Sequence, residues 1–140
     1  MSIEIFVLSD HRLGSIADWQ RAIDAEGFDL RLDGSRPFED LSGHLPAQRG
    51  EQHAGFECDH WDPKEVMDEQ FSPGIAFGRA WTQALAFRFG GDSHELWGAY
   101  AAAASYAKAT EGVVFDGESG EVLAPDKAVE VARELEQDLQ

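Results

Sequence analysis

Thr82-Gln83-Ala84-Leu85-Ala86-Phe87-Arg88-Phe89-Gly90-Gly91-Asp92 sets bulky Leu85, Phe87 and Phe89 against small Ala84 and Ala86. That alternation has the period of a strand. Gly90-Gly91 closes it, and Asp92 or Ser93 then caps a helix running to about Thr110. Leu96, Tyr100, Ala103, Ala104 and Ala107 lie along one stripe of that helix. Small residues on one strand face let a helix layer approach closely. The stretch therefore predicts an α+β fold: a two-layer sandwich, a mixed β-sheet with helices packed mainly on one face. The alternation extends back through Trp81 and Phe77 to Ile75, so the strand is expected to begin there, although helical spacing also links Trp81, Leu85 and Arg88.

Toward the N-terminus, Ile3 to Leu8 is apolar on both faces and reads as an inner strand. Ser15 followed by Asp18 resembles a helix start, with Ile16, Trp19 and Ile23 at helical spacing and Gly27 as the stop. Phe28, Leu30 and Leu32 alternate with Asp29, Arg31 and Asp33, a half-buried strand. The opening is strand, helix, strand; if the two strands are parallel in one sheet, the crossover should be right-handed. Pro46 demotes His44 to Arg49 to an edge strand or loop. His53 to Trp61 alternates Phe56, Cys58 and His60 with Gly55, Glu57 and Asp59, and Asp62-Pro63 opens a short helix to about Gln70. Beyond Gly112, Val113 to Phe115 and Glu121 to Leu123 are short strands, and Pro125 opens a last helix carrying Ala128, Val131, Ala132 and Leu135.

The 140 residues suit a single domain, 1–140, able to bury a core without disulfides. Cys58 is the sole cysteine, a pattern expected of a cytoplasmic protein. Met1-Ser2-Ile3-Glu4-Ile5 does not read as a signal peptide. The alanine-rich run is too short and polar to span a bilayer. The outlying quantity is charge: 27 acids against 11 bases, net −16. A field of that sign repels nucleic acid and anionic membrane and attracts a basic protein partner. The same charge also serves solubility alone.

No catalytic motif is complete. His94-Glu95-Leu96-Trp97-Gly98 starts like a zinc-protease helix but has glycine where the second histidine belongs. Glycines fit neither a P-loop nor a dinucleotide pattern. His53, Glu57, Cys58, Asp59, His60 and Asp62 are ligand-capable, but alternation sends Glu57 and Asp59 to one face and Cys58 and His60 to the other. No metal and no cofactor are expected, and Cys58 is expected to be buried. Asp10-His11-Arg12 follows a strand end, where α/β folds place active groups. Of the four tryptophans, Trp19, Trp81 and Trp97 fall in predicted elements and read as core. Trp61 falls among Glu57, Asp59, Asp62, Glu65, Asp68 and Glu69, six acids opposed by Lys64 alone. An aromatic within an acidic rim has the makings of a binding anchor. A second acidic surface spans Glu111 to Asp138, with Lys127 and Arg133 as its only bases, and reads largely as a solvated helix face.

Leu85 to Asp92, the alanine-rich helix, Gly112-Val113-Val114-Phe115-Asp116 and the Gly120-Glu121 turn together resemble a block of small bacterial proteins, some of which are immunity proteins of toxin systems. The resemblance covers the last third of the chain and carries no functional residues. It implies a bacterial protein and suggests an immunity function. The resulting expectation is an acidic binding protein whose surface is formed by Glu57, Asp59, Trp61, Asp62, Glu65, Asp68 and Glu69, and the resemblance suggests a basic toxin as the protein it neutralises. The alternatives are a small enzyme using Asp10, His11 and His60, and a structural subunit of a homo-oligomer, which would show a large self-complementary apolar patch.

Overall fold

The computed structural model describes residues 3–139; Met1 and Ser2, part of the opening stretch read above, and Gln140 lie outside them. In chain order the strands are β1 (Ile3–Ser9), β2 (Arg31–Leu32), β3 (His44–Leu45), β4 (Ala47–Arg49), β5 (Gln52–His53), β6 (Phe56–Trp61), β7 (Gln83–Phe89), β8 (Val113–Asp116) and β9 (Val122–Leu123). The helices are α1 (Ile16–Ala25), α2 (Pro63–Val66), α3 (Ser93–Thr110) and α4 (Pro125–Gln137). The α+β layering holds: a six-stranded sheet in the order β3-β6-β7-β1-β8-β9 has helices packed against it, and β2-β4-β5 form a small second sheet.

Strand direction differs from the expected mixture. Every pairing in both sheets is antiparallel. The opening strand-helix-strand is not a crossover unit, because β2 pairs with β4 in the small sheet and not with β1. Its alternation was real all the same: Phe28, Leu30 and Leu32 are buried, and Asp29, Arg31 and Asp33 are exposed. Pro46, which cannot donate to a ladder, separates β3 in the large sheet from β4 in the small one.

β1 is central and buried on both faces. On its inner face Ile5 and Val7 meet Phe87, Leu85 and Val114 in the core beneath α3. On its outer face Phe6 and Leu8 lie beside Ala86, Ala84 and Phe115 in a separate cluster. The register that aligns Phe6 with Ala86 and Leu8 with Ala84 is the large-small alternation read in the sequence.

The capping residues act as expected. Ser15 accepts from the Asp18 amide at the start of α1, and Asp92 from the His94 amide at the start of α3. The last helix buries Ala128, Val129 and Ala132, with Val131 and Leu135 only partly covered. α3 departs from its expected single stripe. All residues from Trp97 to Ala107 are buried, because the helix contacts the large sheet, the small sheet, α1 and α4. Its alanines are what permits this; a larger side chain would hold the layers apart. Gly98 marks the tightest point, where an added Cβ would lie 2.2 Å from the Ala54 carbonyl oxygen. Trp19 completes the enclosure. It is fully buried, its rings are 5.5 to 6.5 Å from those of Phe38, Phe56, Phe87 and Tyr106, and its indole N–H donates to the Ala102 carbonyl at 2.9 Å.

The strand expected to start at Ile75 starts at Gln83 instead. Gly74 and Gly78 take positive φ, 74° and 85°, and break any extended run. Residues 67–82 form an irregular strap across the outer face, with Ile75, Phe77 and Trp81 packed into the outer cluster. Trp81 is thus half-buried in the strap, its indole N–H held by the Phe77 carbonyl at 3.0 Å.

Two substitutions test this packing. Gly98→Ala gains about 1 kcal/mol of helix propensity but overpacks against Ala54, at a cost of about 1–3 kcal/mol or more; urea unfolding should show a net loss of stability. Glu111, which ends α3, is the single non-glycine residue with positive φ among the described residues, at 58°. Its left-handed backbone and its negative charge at a helix C-terminus are both unfavourable. Glu111→Gly should therefore stabilise by about 1 kcal/mol in the same assay.

Candidate functional site

The outer face of β6 carries Glu57, Asp59 and Trp61, and the inner face carries Phe56, Cys58 and His60. After Trp61, the Asp62 carboxylate caps α2 by accepting from the Lys64 amide at 2.9 Å, with Pro63 in the first turn. α2 ends at Val66 and does not reach Gln70 as expected. Val66 is fully buried in the outer cluster, and Ser72, also buried, returns its hydroxyl to the Val66 carbonyl at 2.8 Å. Those two anchors throw the intervening loop outward. Phe71, the last residue of that loop, is 48% exposed, the one large hydrophobic side chain among the described residues that is exposed.

Phe71 does not stand free. Its ring sits edge-on to Phe6 and to Trp61, each at 5.9 Å, and Trp61 meets Phe6 at 5.5 Å. Trp61 is half-buried: one part of its indole is fixed on the sheet and the rest faces solvent. An open hollow of about 460 Å³ is lined by Trp61, Glu65, Asp68, Gln70 and Phe71. On the other side of Phe71 a second hollow, of about 350 Å³, has Phe6, Pro73, Ile75 and Phe115 in its walls and Glu4 and Glu118 among its polar groups.

The acids predicted as one set divide between these surroundings. Glu65 and Asp68 share the hollow with Trp61. Glu57 sits opposite Arg88 of β7 and lines a different depression with His44 and Glu95. Asp59 accepts from the Gly43 amide at 3.0 Å, and Glu69 from the Gly74 amide at 2.9 Å. Asp68 accepts from the Gln70 amide at 2.7 Å. Asp59, Asp62, Asp68 and Glu69 therefore shape the chain as well as charging it. Among the described residues none of the six carboxylates is in a salt bridge. The second acidic surface is different. Lys108 bridges Glu26 and Asp126, Lys127 approaches Glu130, Arg133 approaches Glu26, and Asp116 accepts from the Tyr100 hydroxyl. Sequence reading missed Phe71. The available signal was an aromatic in Asp68-Glu69-Gln70-Phe71-Ser72-Pro73 that belongs to neither a helical nor an alternating pattern.

Asp10, His11 and His60 are engaged separately. Asp10 pairs with Arg79 at 2.5 Å and accepts from the Thr82 amide and hydroxyl at 3.1 Å, all on the strap. The His11 side chain is exposed. His60 turns to the inner side, with Nε2 2.8 Å from the Phe38 carbonyl and the Arg12 guanidinium 2.9 and 3.1 Å from its ring nitrogens. The carbonyl requires Nε2–H, which leaves Nδ1 as the acceptor for Arg12. Cys58 is fully buried, and burial pushes its thiol pKa well up, which disfavours the reactive thiolate. No group of three or more His, Cys, Asp or Glu among the described residues is placed to hold a metal ion. No helix of the described residues is long and apolar enough to cross a membrane. No protein-family model, curated protein or solved structure matches this chain.

Burial, reinforced by the nearby Arg12 charge, lowers the pKa of His60 below its ordinary 6.5. The unfolded chain then binds a proton that the folded chain resists. This stability is fully present above pH 6.5 and is lost as pH falls through the folded value. Between about pH 7.5 and about pH 5.5 the parent should lose more melting temperature than His60→Gln, as read by circular dichroism. Equal losses would exclude His60 as the source.

Proposed function

We propose that this chain is a binding protein that recognises a basic protein partner through the surface around Trp61 and Phe71. The observation that carries the reading is Phe71: a half-exposed ring, packed on Trp61 and Phe6, between two acid-lined hollows. Phe71 spends only part of its surface on packing against Phe6 and Trp61, and a fixed aromatic left half in water within a charged rim has the anatomy of a binding hot spot. The net charge of −16 adds long-range attraction for a cationic partner and repulsion of nucleic acid.

In its narrower form the proposal is an immunity protein that neutralises a basic toxin. The C-terminal block that resembles such proteins corresponds to β7, α3 and β8. It belongs to the scaffold, so the resemblance supports the class and says nothing of the contact residues. Self-association through the same surface is disfavoured, since a two-fold contact would bring Glu65, Asp68 and their copies together with Lys64 alone close by to offset them. An enzyme built on Asp10, His11 and His60 is disfavoured by their separate engagements.

The test is to capture a partner from the source cell and measure binding kinetics at two salt concentrations. Phe71→Ala should raise the dissociation rate by the equivalent of about 2 kcal/mol. Glu65→Lys with Asp68→Asn, which keeps an oxygen for the Gln70 amide, should slow association, with the effect fading as salt shortens the screening length below about 8 Å. Asp62 is left intact because it caps α2. A partner whose rates ignore both variants and salt would overturn the reading.

A further inference from the structure

The chain covers several of its aromatic rings with its own arginines. Arg12 lies over Phe38 at 5.6 Å, Arg49 over Trp97 at 5.6 Å, Arg79 over Trp81 at 5.1 Å and Arg133 over Phe28 at 5.3 Å. In two of these the cation is also held by a carboxylate: Arg79 by Asp10 at 2.5 Å, and Arg133 by Glu26 at 3.8 Å. The unit is a ring face, a carboxylate and a guanidinium between them. It is favourable because the ring quadrupole and the anion attract the same planar cation.

The hollow beside Trp61 holds two of these three components. Trp61 and Phe71 supply the rings, and Glu65 and Asp68 supply carboxylates. The cation is missing: among the described residues no arginine or lysine lies over Trp61 or Phe71, and neither acid is ion-paired. We infer that this hollow is a receptor for an arginine side chain of the partner, laid on Trp61 with its guanidinium between Glu65 and Asp68. The inference rests on the binding function proposed above and gives it a chemical specificity. A guanidinium is favoured over an ammonium because it is flat, stacks on a ring, and presents several donors to two separate carboxylates while losing less hydration. The hollow is open on one side, which suits a side chain reaching in from a larger surface and not a small molecule engulfed by the protein.

The probes are three tripeptides, acetyl-Gly-X-Gly-amide, where X is arginine, lysine or citrulline; citrulline keeps the shape of arginine without its charge. Each is titrated into the full chain while the four indole N–H resonances are followed by NMR. The Trp61 signal is identified by its disappearance in Trp61→Phe. The arginine peptide should shift Trp61 saturably and leave Trp19 and Trp97 in place. The lysine peptide should bind measurably more weakly, because an ammonium neither stacks flat on the ring nor spans two carboxylates, and citrulline should not saturate. Glu65→Gln with Asp68→Asn should abolish the shift. Asp68→Asn retains an oxygen for the Gln70 amide, so unchanged remaining resonances will show that the loop is intact. Absence of a saturable shift at Trp61, equal binding of lysine, or binding that survives the double variant would overturn the arginine receptor. Phe71→Ala kinetics with the captured partner stand apart from this result. If they show the expected faster dissociation while the arginine peptide does nothing, the surface binds its partner by other chemistry and only the receptor fails.

Discussion

The fold depends on enclosing one helix. α3 is buried from Trp97 to Ala107, and that requires side chains small enough for layers to close on it from several directions. Alanine meets the requirement without sacrificing helix propensity. Glycine is used where alanine is still too large. At Gly98 the Ala54 carbonyl is the obstacle, and at Gly112, just past the helix, an added Cβ would lie 2.3 Å from the Leu8 carbonyl oxygen. Trp19 fills the remaining volume and ties α1 to the middle of α3 through the Ala102 carbonyl. Lost backbone entropy is offset by packing density along the alanines and by the buried Trp97, Tyr100 and Tyr106 that the same helix carries.

With the helices gathered on the inner side, the outer face of the sheet is left to a short helix and an irregular strap. Such a cover must be held by specific contacts, and it is: Val66 and Ser72 from within, Trp81 to Phe77, and carboxylates accepting from the amides of Lys64, Gln70 and Gly74. The acids of this region thus have two functions in one group. One oxygen orders the loop, and the charge remains for the surroundings. Arg12, Arg79, Arg88, Lys108 and Arg133 are engaged elsewhere, and among the described residues no salt bridge neutralises that charge.

Much of the framework was legible before any coordinates. β1, α1, α3 and α4 fall within a few residues of their expected bounds, because each is announced by periodicity, and α1 and α3 also by a cap whose chemistry is local. The failures have non-local causes. The antiparallel direction of the whole sheet and the pairing of β2 with β4 depend on where the chain returns, which no window of residues records. Ile75, Phe77 and Trp81 alternate because a strap also needs large groups pointing inward, and the positive φ of Gly78, which breaks the extended run, leaves no mark on that alternation. The helix stripe was understated since alanine carries little signal of either face. Trp61, Glu65 and Asp68 were singled out from density of charge around an aromatic, and they line one hollow. Phe71 was not, as its meaning comes from the pinning of Val66 and Ser72 on either side of it.

Cys58 adds a practical property to this architecture. Its thiol lies fully buried on the inner face of β6, held protonated by its surroundings, and no other cysteine exists in the chain. A thiol reagent can reach it only when β6 parts from the core. On its open side β6 is held by the two residues of β3 and by the Cys58 amide donating to the Gly43 carbonyl at 2.9 Å, while on the other it is laddered along much of β7. The rate at which Cys58 is modified is therefore a built-in clock for the opening of that edge. Comparing it with the global unfolding rate would tell whether the edge breathes independently or opens only with the whole molecule.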